Sequence, residues 1–224
     1  MHDTMTYPHG EHMKTTSLRV ALAAAAGFAL IGSATASAGP INLIENGSFE
    51  SVSQKAGTWN IYSSLKGWQV GGKGVEIRNN VSGSALDGKN FVELDTTANS
   101  WIAQTFETTL GQAYNVSFFY SPRMNVAANS NDITAFINGT ALLTASGSGV
   151  GASGNVWQEY DFNFVATGGF STLVFAAGGI SNSYGGSLDN VSVSAVSPVP
   201  EPASWATLMA GLIGLGLISR RRMG

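Results

Sequence analysis

A chain whose apolar and polar residues alternate singly, in short runs closed by turn residues, has few folds open to it other than packed β-sheets. Tyr160, Phe162 and Phe164 alternate with Asp161 and Asn163, as a strand with one buried face requires. Asn115 to Tyr120 is a run of β-branched and aromatic residues. Comparable runs recur at Trp59 to Tyr62, Trp68 to Val70, Val75 to Arg78, Phe91 to Asp95, Trp101 to Phe106, Ile133 to Ile137, Ser171 to Phe175 and Leu188 to Val193. Asp87-Gly88, Asn138-Gly139 and Gly178-Gly179 separate them. The expectation is about ten strands in an all-β, antiparallel two-sheet sandwich of the jelly-roll kind. Only 11% of residues are charged, against the usual share of about 25%, and Gly contributes 28 residues; both disfavour a helical bundle.

The two ends of the 224-residue chain read differently. Lys14 and Arg19, the apolar stretch Val20 to Ile31, and the small residues Ala36-Ser37-Ala38 form a secretory signal, with Ala36 and Ala38 at the cleavage positions. Residues 1–38 are thus expected to be an N-terminal extension and signal helix. At the other end, Ala203 to Ser219 is an uncharged run of 17 residues between Pro200-Glu201-Pro202 and Arg220-Arg221-Arg222. It is long enough for a transmembrane helix over 203–219, with the arginines cytoplasmic. One domain, 39–197, remains between the signals, followed by a tail over 198–224.

That tail resembles the PEP-CTERM sorting signal of exported Gram-negative bacterial proteins, on Val199-Pro200-Glu201-Pro202, the Gly-containing apolar segment and the terminal arginine cluster. The resemblance implies an exosortase and the export machinery as partners and transient residence in the inner membrane. It implies the cell surface or an exopolysaccharide matrix as destination. It also extends to the tails of some ice-binding proteins.

Between the signals there are six basic and eleven acidic residues, a net charge of −5 without a basic run, which sets nucleic acid aside as a partner. The chain contains no Cys, and its three His, His2, His9 and His12, all precede the domain. Thiol nucleophiles, Ser-His-Asp arrangements and His-ligated metals are therefore excluded there. Carboxylates, Lys, Tyr and oxygen-held metals are what is left for chemistry.

Five blocks in order resemble the galactose-binding-like sandwiches of exported bacterial choice-of-anchor proteins and of a plant cell-wall family of unknown function. They are Asn42 to Glu50; Gly67 to Val70; Ala85 to Gly88 with Phe91 to Leu94; Ile102 to Phe106 with Gly111 to Tyr114; and Leu188 to Val193. The resemblance implies a structural Ca²⁺ where the first and last strands meet, held by Glu50 and Asp189 with backbone oxygens near Asn46 to Ser48. Ca²⁺ takes six to eight hard oxygen ligands and tolerates irregular geometry, so those residue types suit it.

Gly149-Val150-Gly151-Ala152-Ser153-Gly154 fits G-x-G-x-x-G, but a strand at Asn155 to Gln158 follows where a dinucleotide site needs a helix, so it reads as a loop. Glu93 and Asp95 share one strand face at roughly 7 Å, a separation inverting glycosidases use. Solvent-facing carboxylates alternating with Val92 and Leu94 give the same pattern without catalysis. The favoured function is non-catalytic binding of polysaccharide, for which aromatic faces stack on sugar C–H surfaces while amides, carboxylates and Arg read hydroxyls. Trp59, Tyr62, Trp101, Arg123, Trp157 and Tyr184 are the candidates, with Trp68 assigned to the core. The alternatives are a structural matrix protein or adhesin without a sugar pocket, for which no T-x-T array supports an ice-binding version, and a carboxylate glycoside hydrolase.

Overall fold

A computed structural model describes residues 40–197. The signal helix, the cleavage residues Ala36 and Ala38, the 203–219 segment, and the sorting residues Pro200 to Pro202 and Arg220 to Arg222 lie outside the described residues. Among the described residues no helix is long and apolar enough to cross a membrane.

Eleven strands form two antiparallel sheets. They are β1 (Thr58–Tyr62), β2 (Gln69–Val70), β3 (Val75–Asn79), β4 (Phe91–Glu93), β5 (Trp101–Glu107), β6 (Ala113–Ser121), β7 (Ile133–Ile137), β8 (Thr140–Ala145), β9 (Gln158–Val165), β10 (Phe170–Ala177) and β11 (Ser187–Ala195). One sheet has the order β1-β3-β4-β11-β6-β9 and the other β2-β5-β10-β7-β8. The jelly-roll expectation is met. Each anticipated run became a strand, and β8 is an addition: Thr140 to Ala145 lacks the alternation that announces a strand, and its pairing with β7 across Asn138-Gly139 makes it one. Both turn residues have positive φ, 50° and 82°, the geometry that a two-residue hairpin of matching twist demands. The segment Asn155 to Trp157, read as strand, is loop, and β9 opens only at Gln158.

The core lies between the sheets. Inward residues of β6 (Tyr114, Val116, Phe118, Tyr120) face inward residues of β10 (Leu173, Phe175) and β5 (Ile102, Phe106). Trp68 is buried as expected and sits between Phe49 and Phe175, at ring separations of 5.9 and 6.5 Å. Each such side chain contributes roughly 1.5–3 kcal/mol by leaving water.

The first residues of the domain run beside the last strand. Leu43 N donates to Val193 O at 2.8 Å and Val191 N to Gly47 O at 3.0 Å, while Asn42 Oδ1 accepts from Val193 N at 3.0 Å. Gly47 is required at this approach because a Cβ there would run into the Val191 carbonyl.

Candidate functional site

The outer face of the six-stranded sheet departs most from expectation. Strand periodicity puts Glu76 and Arg78 of β3 and Glu93 of β4 on the side away from Val75, Ile77 and Val92, where a two-layer sandwich meets water. All three are buried, as is Asp95. A loop from Asn80 to Asn90 folds over them: Arg78 Nη1 donates to Ser82 Oγ at 3.2 Å, and Trp157 Nε1 and Asn155 Nδ2 each donate to Ser84 O at 3.0 Å. Trp157 also packs edge-on against Phe91, with centroids 5.7 Å apart. This sugar-binding candidate holds the covering loop in place and presents no free face comparable to that of Tyr184.

Beneath that cover two arginines meet two glutamates. Arg78 pairs through Nη2 with Glu76 Oε2, and its Nε faces Glu93 Oε2 at 3.1 Å. Arg123 Nη1 reaches Glu93 Oε1 at 2.6 Å. Glu93 Oε1 also accepts from Gly185 N at 3.1 Å, and Asp95 Oδ2 accepts from Asn182 N and Ser183 N at 3.0 and 3.1 Å. Burial pushes the Glu93 carboxyl up to about 7 against the pull of both guanidiniums, and raises Glu76 against that of Arg78. Solvent-facing Glu93 and Asp95 are thus corrected to buried groups. The acid/base alternative for this pair also loses its geometric basis, since neither carboxylate stands in an open cleft with room for water between them.

Arg123 leads from the buried cluster to the surface. Its guanidinium lies 4.6 Å from the ring centroid of Tyr184, a residue 48% exposed, and its Nη1 also donates to Ser183 O at 3.3 Å. The pair borders a cleft of about 520 Å³ at one end of the sandwich. Ser82, Asn125, Asn129, Ser130 and Asn182 supply hydroxyls and amides to its wall, and Val126 and Ile180 supply apolar surface; no carboxylate lines it. Asn182 is fixed by Nδ2 donating to Ser130 Oγ at 3.0 Å, and the Arg123 backbone by its N donating to Asn131 Oδ1 at 3.0 Å. The left-handed backbone at Asn125, φ 60°, folds the loop after β6 back on itself. Of the six candidates, two meet here, Arg123 and Tyr184. Asn129 and Ser130 of this wall lie in an Asn- and Ser-rich stretch of the sequence, Asn129 to Asp132, while Asn125 and Asn182 stand apart from it.

The other candidates fall elsewhere. Trp59 is 45% exposed on β1, with Arg78 Cζ 5.7 Å from its ring. Tyr62 is half-buried, packs on the core and donates its hydroxyl to Gln54 Oε1 at 2.9 Å, which is a structural role. Trp101 lies on the opposite sheet.

For calcium, Ser48, Glu50 and Asp189 do converge, on loop Leu86 to Asn90, with at least one oxygen of each turned to a hydrogen-bond partner. Glu50 Oε1 accepts from Lys89 N and Asn90 N at 2.7 and 2.6 Å. Asp189 Oδ2 accepts from Leu86 N and Asp87 N at 2.7 and 3.0 Å, its Oδ1 from Asn190 N at 2.7 Å, and Ser48 Oγ donates to Asp87 Oδ2 at 2.6 Å. The Asn46 carbonyl accepts from Trp68 Nε1 and Phe49 N. Among the described residues, no cluster of three or more His, Cys, Asp or Glu could hold a metal ion. In this arrangement a Ca²⁺ ion, which takes six to eight oxygens, would have to displace these hydrogen-bond partners. The set forms a hydrogen-bonded clasp that ties the opening segment, which is not a strand, and β11 to one loop, and burial pushes Asp189 up to about 6 despite the three amides it accepts from.

Residues 42–194, the whole sandwich from its opening segment to β11, match the family described as a protein of unknown function, DUF642. The chain belongs to the DUF642 family. No curated protein matches it. Among solved structures, this DUF642 chain is similar to TmCBM61 in complex with β-1,4-galactotriose, with 18% identity over 70% of this chain and 99% of that one and a TM-score of 0.45. It is similar also to a family 35 carbohydrate-binding module from Clostridium thermocellum (15% identity, 61% and 97% of the two chains, TM-score 0.41). A third is a family 16 carbohydrate-binding module (15%, 68% and 99%, TM-score 0.44).

Proposed function

We propose that this DUF642 protein is exported to the cell surface or exopolysaccharide matrix of a Gram-negative bacterium, where its sandwich binds carbohydrate without catalysing a reaction on it. The secretory signal at Ala36 and Ala38 and the PEP-CTERM-like tail support the route, with exosortase and the inner membrane as partners in transit. The observation that carries the binding reading is Tyr184. Its half-exposed ring is held by Arg123, itself anchored on buried Glu93, at the mouth of a cleft walled by amides and hydroxyls. A sugar needs that combination: an aromatic face for its C–H surface and fixed polar groups for its hydroxyls. Preorganisation by the buried network lowers the ordering cost of binding.

A glycan array, followed by retention on immobilised polysaccharide, tests this reading. The expected result is binding that Tyr184→Ala weakens at least tenfold with the melting temperature unchanged. Absence of retention on every polysaccharide would overturn it.

A further inference from the structure

The five-stranded sheet has an outer face of a different chemistry. Glu107, at the end of β5, is the only charged residue in its five strands, whereas the strands of the other sheet carry six. Ile102, Leu173, Phe175 and Ala135 point into the core, so Trp101, Ala103, Val174, Ala176 and Phe136 point outward. The register sets Trp101 beside Ala176, and Val174 between Ala103 and Phe136.

Two rings thus stand two strands and one row apart, on the order of 12 Å by strand spacing and rise. Ala176, Val174 and Gly139 floor a shallow trough of about 410 Å³ between them. Trp101 is 39% exposed, and its indole lies against Gly71, where a Cβ would run into the ring; the glycine lets the ring lie down on the surface. Hydroxyls flank the trough as cross-strand pairs, Thr105 with Thr172 at 2.8 Å and Thr134 with Thr144 at 2.9 Å.

We propose that this face is a second carbohydrate site, separate from the cleft, taking an extended and uncharged polysaccharide chain. It rests on the reading of the domain as carbohydrate-binding and not on the cleft. The ring separation suits two non-adjacent sugar rings of one extended chain, with a further sugar spanning the trough between them. Apart from Glu107 at its edge the face carries no charge, which complements a neutral polymer and offers a uronate polymer no cation. The Thr pairs already satisfy one another and can accept or donate a further hydrogen bond to sugar hydroxyls at the rim.

Native electrophoresis of the full chain through gels containing hydroxyethylcellulose, galactan or polygalacturonate tests the proposal. Retardation in at least one neutral polymer is expected, reduced at least tenfold in apparent affinity by Trp101→Ala with Phe136→Ser and only partly by Trp101→Phe. Polygalacturonate retardation, if any, should be indifferent to these changes. Thermal melts establish that the variants are folded, and Trp101→Phe serves if the double variant is not. Neutral-polymer binding unaffected by the double variant, or abolished by Tyr184→Ala alone, would sink the sheet-face site and leave the cleft standing. Loss in the double variant with Tyr184→Ala unaffected would uphold the face and remove the cleft. Sedimentation showing a dimer that Trp101→Ala dissociates would make the face a self-association surface and overturn the proposal.

Discussion

Arg123 and Glu93 are 30 residues apart in the chain and 2.6 Å apart in the fold, one side chain entering the surface cleft and the other fully buried. Glu93 also faces Arg78, so one carboxylate holds two guanidiniums. A buried cluster of this kind is poor evidence of net stability, yet removing one member is costly because it strands the rest. Its evident product is a fixed Arg123 beneath Tyr184.

Glu93→Gln should therefore destabilise the domain by about 3 kcal/mol, since buried Arg78 would be left with Glu76 alone and partly buried Arg123 would lose its carboxylate partner. Urea unfolding at neutral pH measures this. A change under 0.5 kcal/mol would show that the cluster relaxes or admits water.

Asp189 gives a pH dependence with a definite sign. Its carboxyl titrates at about 6 in the fold, against 3.8 unexposed to the fold's influence, so the native state holds the proton longer. Its contribution to stability is fully present below about pH 4 and is lost as the pH rises through 6. Relative to Asp189→Asn, the wild-type chain should lose on the order of 2 kcal/mol between pH 4 and pH 7. Chemical denaturation across that range checks it, and parallel curves for the two proteins would contradict it.

Because an oxygen of each of Ser48, Glu50 and Asp189 is engaged by hydrogen bonds, chelator should leave the melting temperature unchanged, while Glu50→Ala lowers it by freeing the amides of Lys89 and Asn90. Two lost charge-assisted hydrogen bonds correspond to about 3 kcal/mol. A calcium-dependent rise in melting temperature that Glu50→Ala abolishes would instead show that these oxygens turn to a cation.

Gly47→Ala should cost about 2 kcal/mol or more, as the new methyl meets the Val191 backbone and not a side chain that can swing away. Gly111→Ala is a useful comparison: nothing lies near its Cβ, and only its backbone at φ 79° resists. Differential scanning calorimetry of both separates collision from backbone strain. An equal loss in the two variants would refute the collision.

The strands were legible because alternation is local: Tyr160, Phe162 and Phe164 declare their shared face from five consecutive residues. β8 was not, because Ala141 and Leu142 owe their strand conformation to a partner across the hairpin. The same limit explains Glu93 and Asp95. Period-two alternation places them opposite Val92 and Leu94, and a polar face ordinarily means water; that a loop and an arginine pair cover this one depends on residues tens of positions away.

What the sequence determined by itself was the β-sandwich, its hairpin at Asn138-Gly139, its buried Trp68, and the chemistry available without Cys or domain His. The tertiary structure decided the rest: that Arg123 and Tyr184, 61 positions apart, share a cleft while Trp101 stands on the other sheet, and that Glu50 and Asp189 face amides. The reason is physical. Backbone sterics and side-chain periodicity act between neighbours, whereas burial, charge pairing and site geometry arise only when distant segments pack.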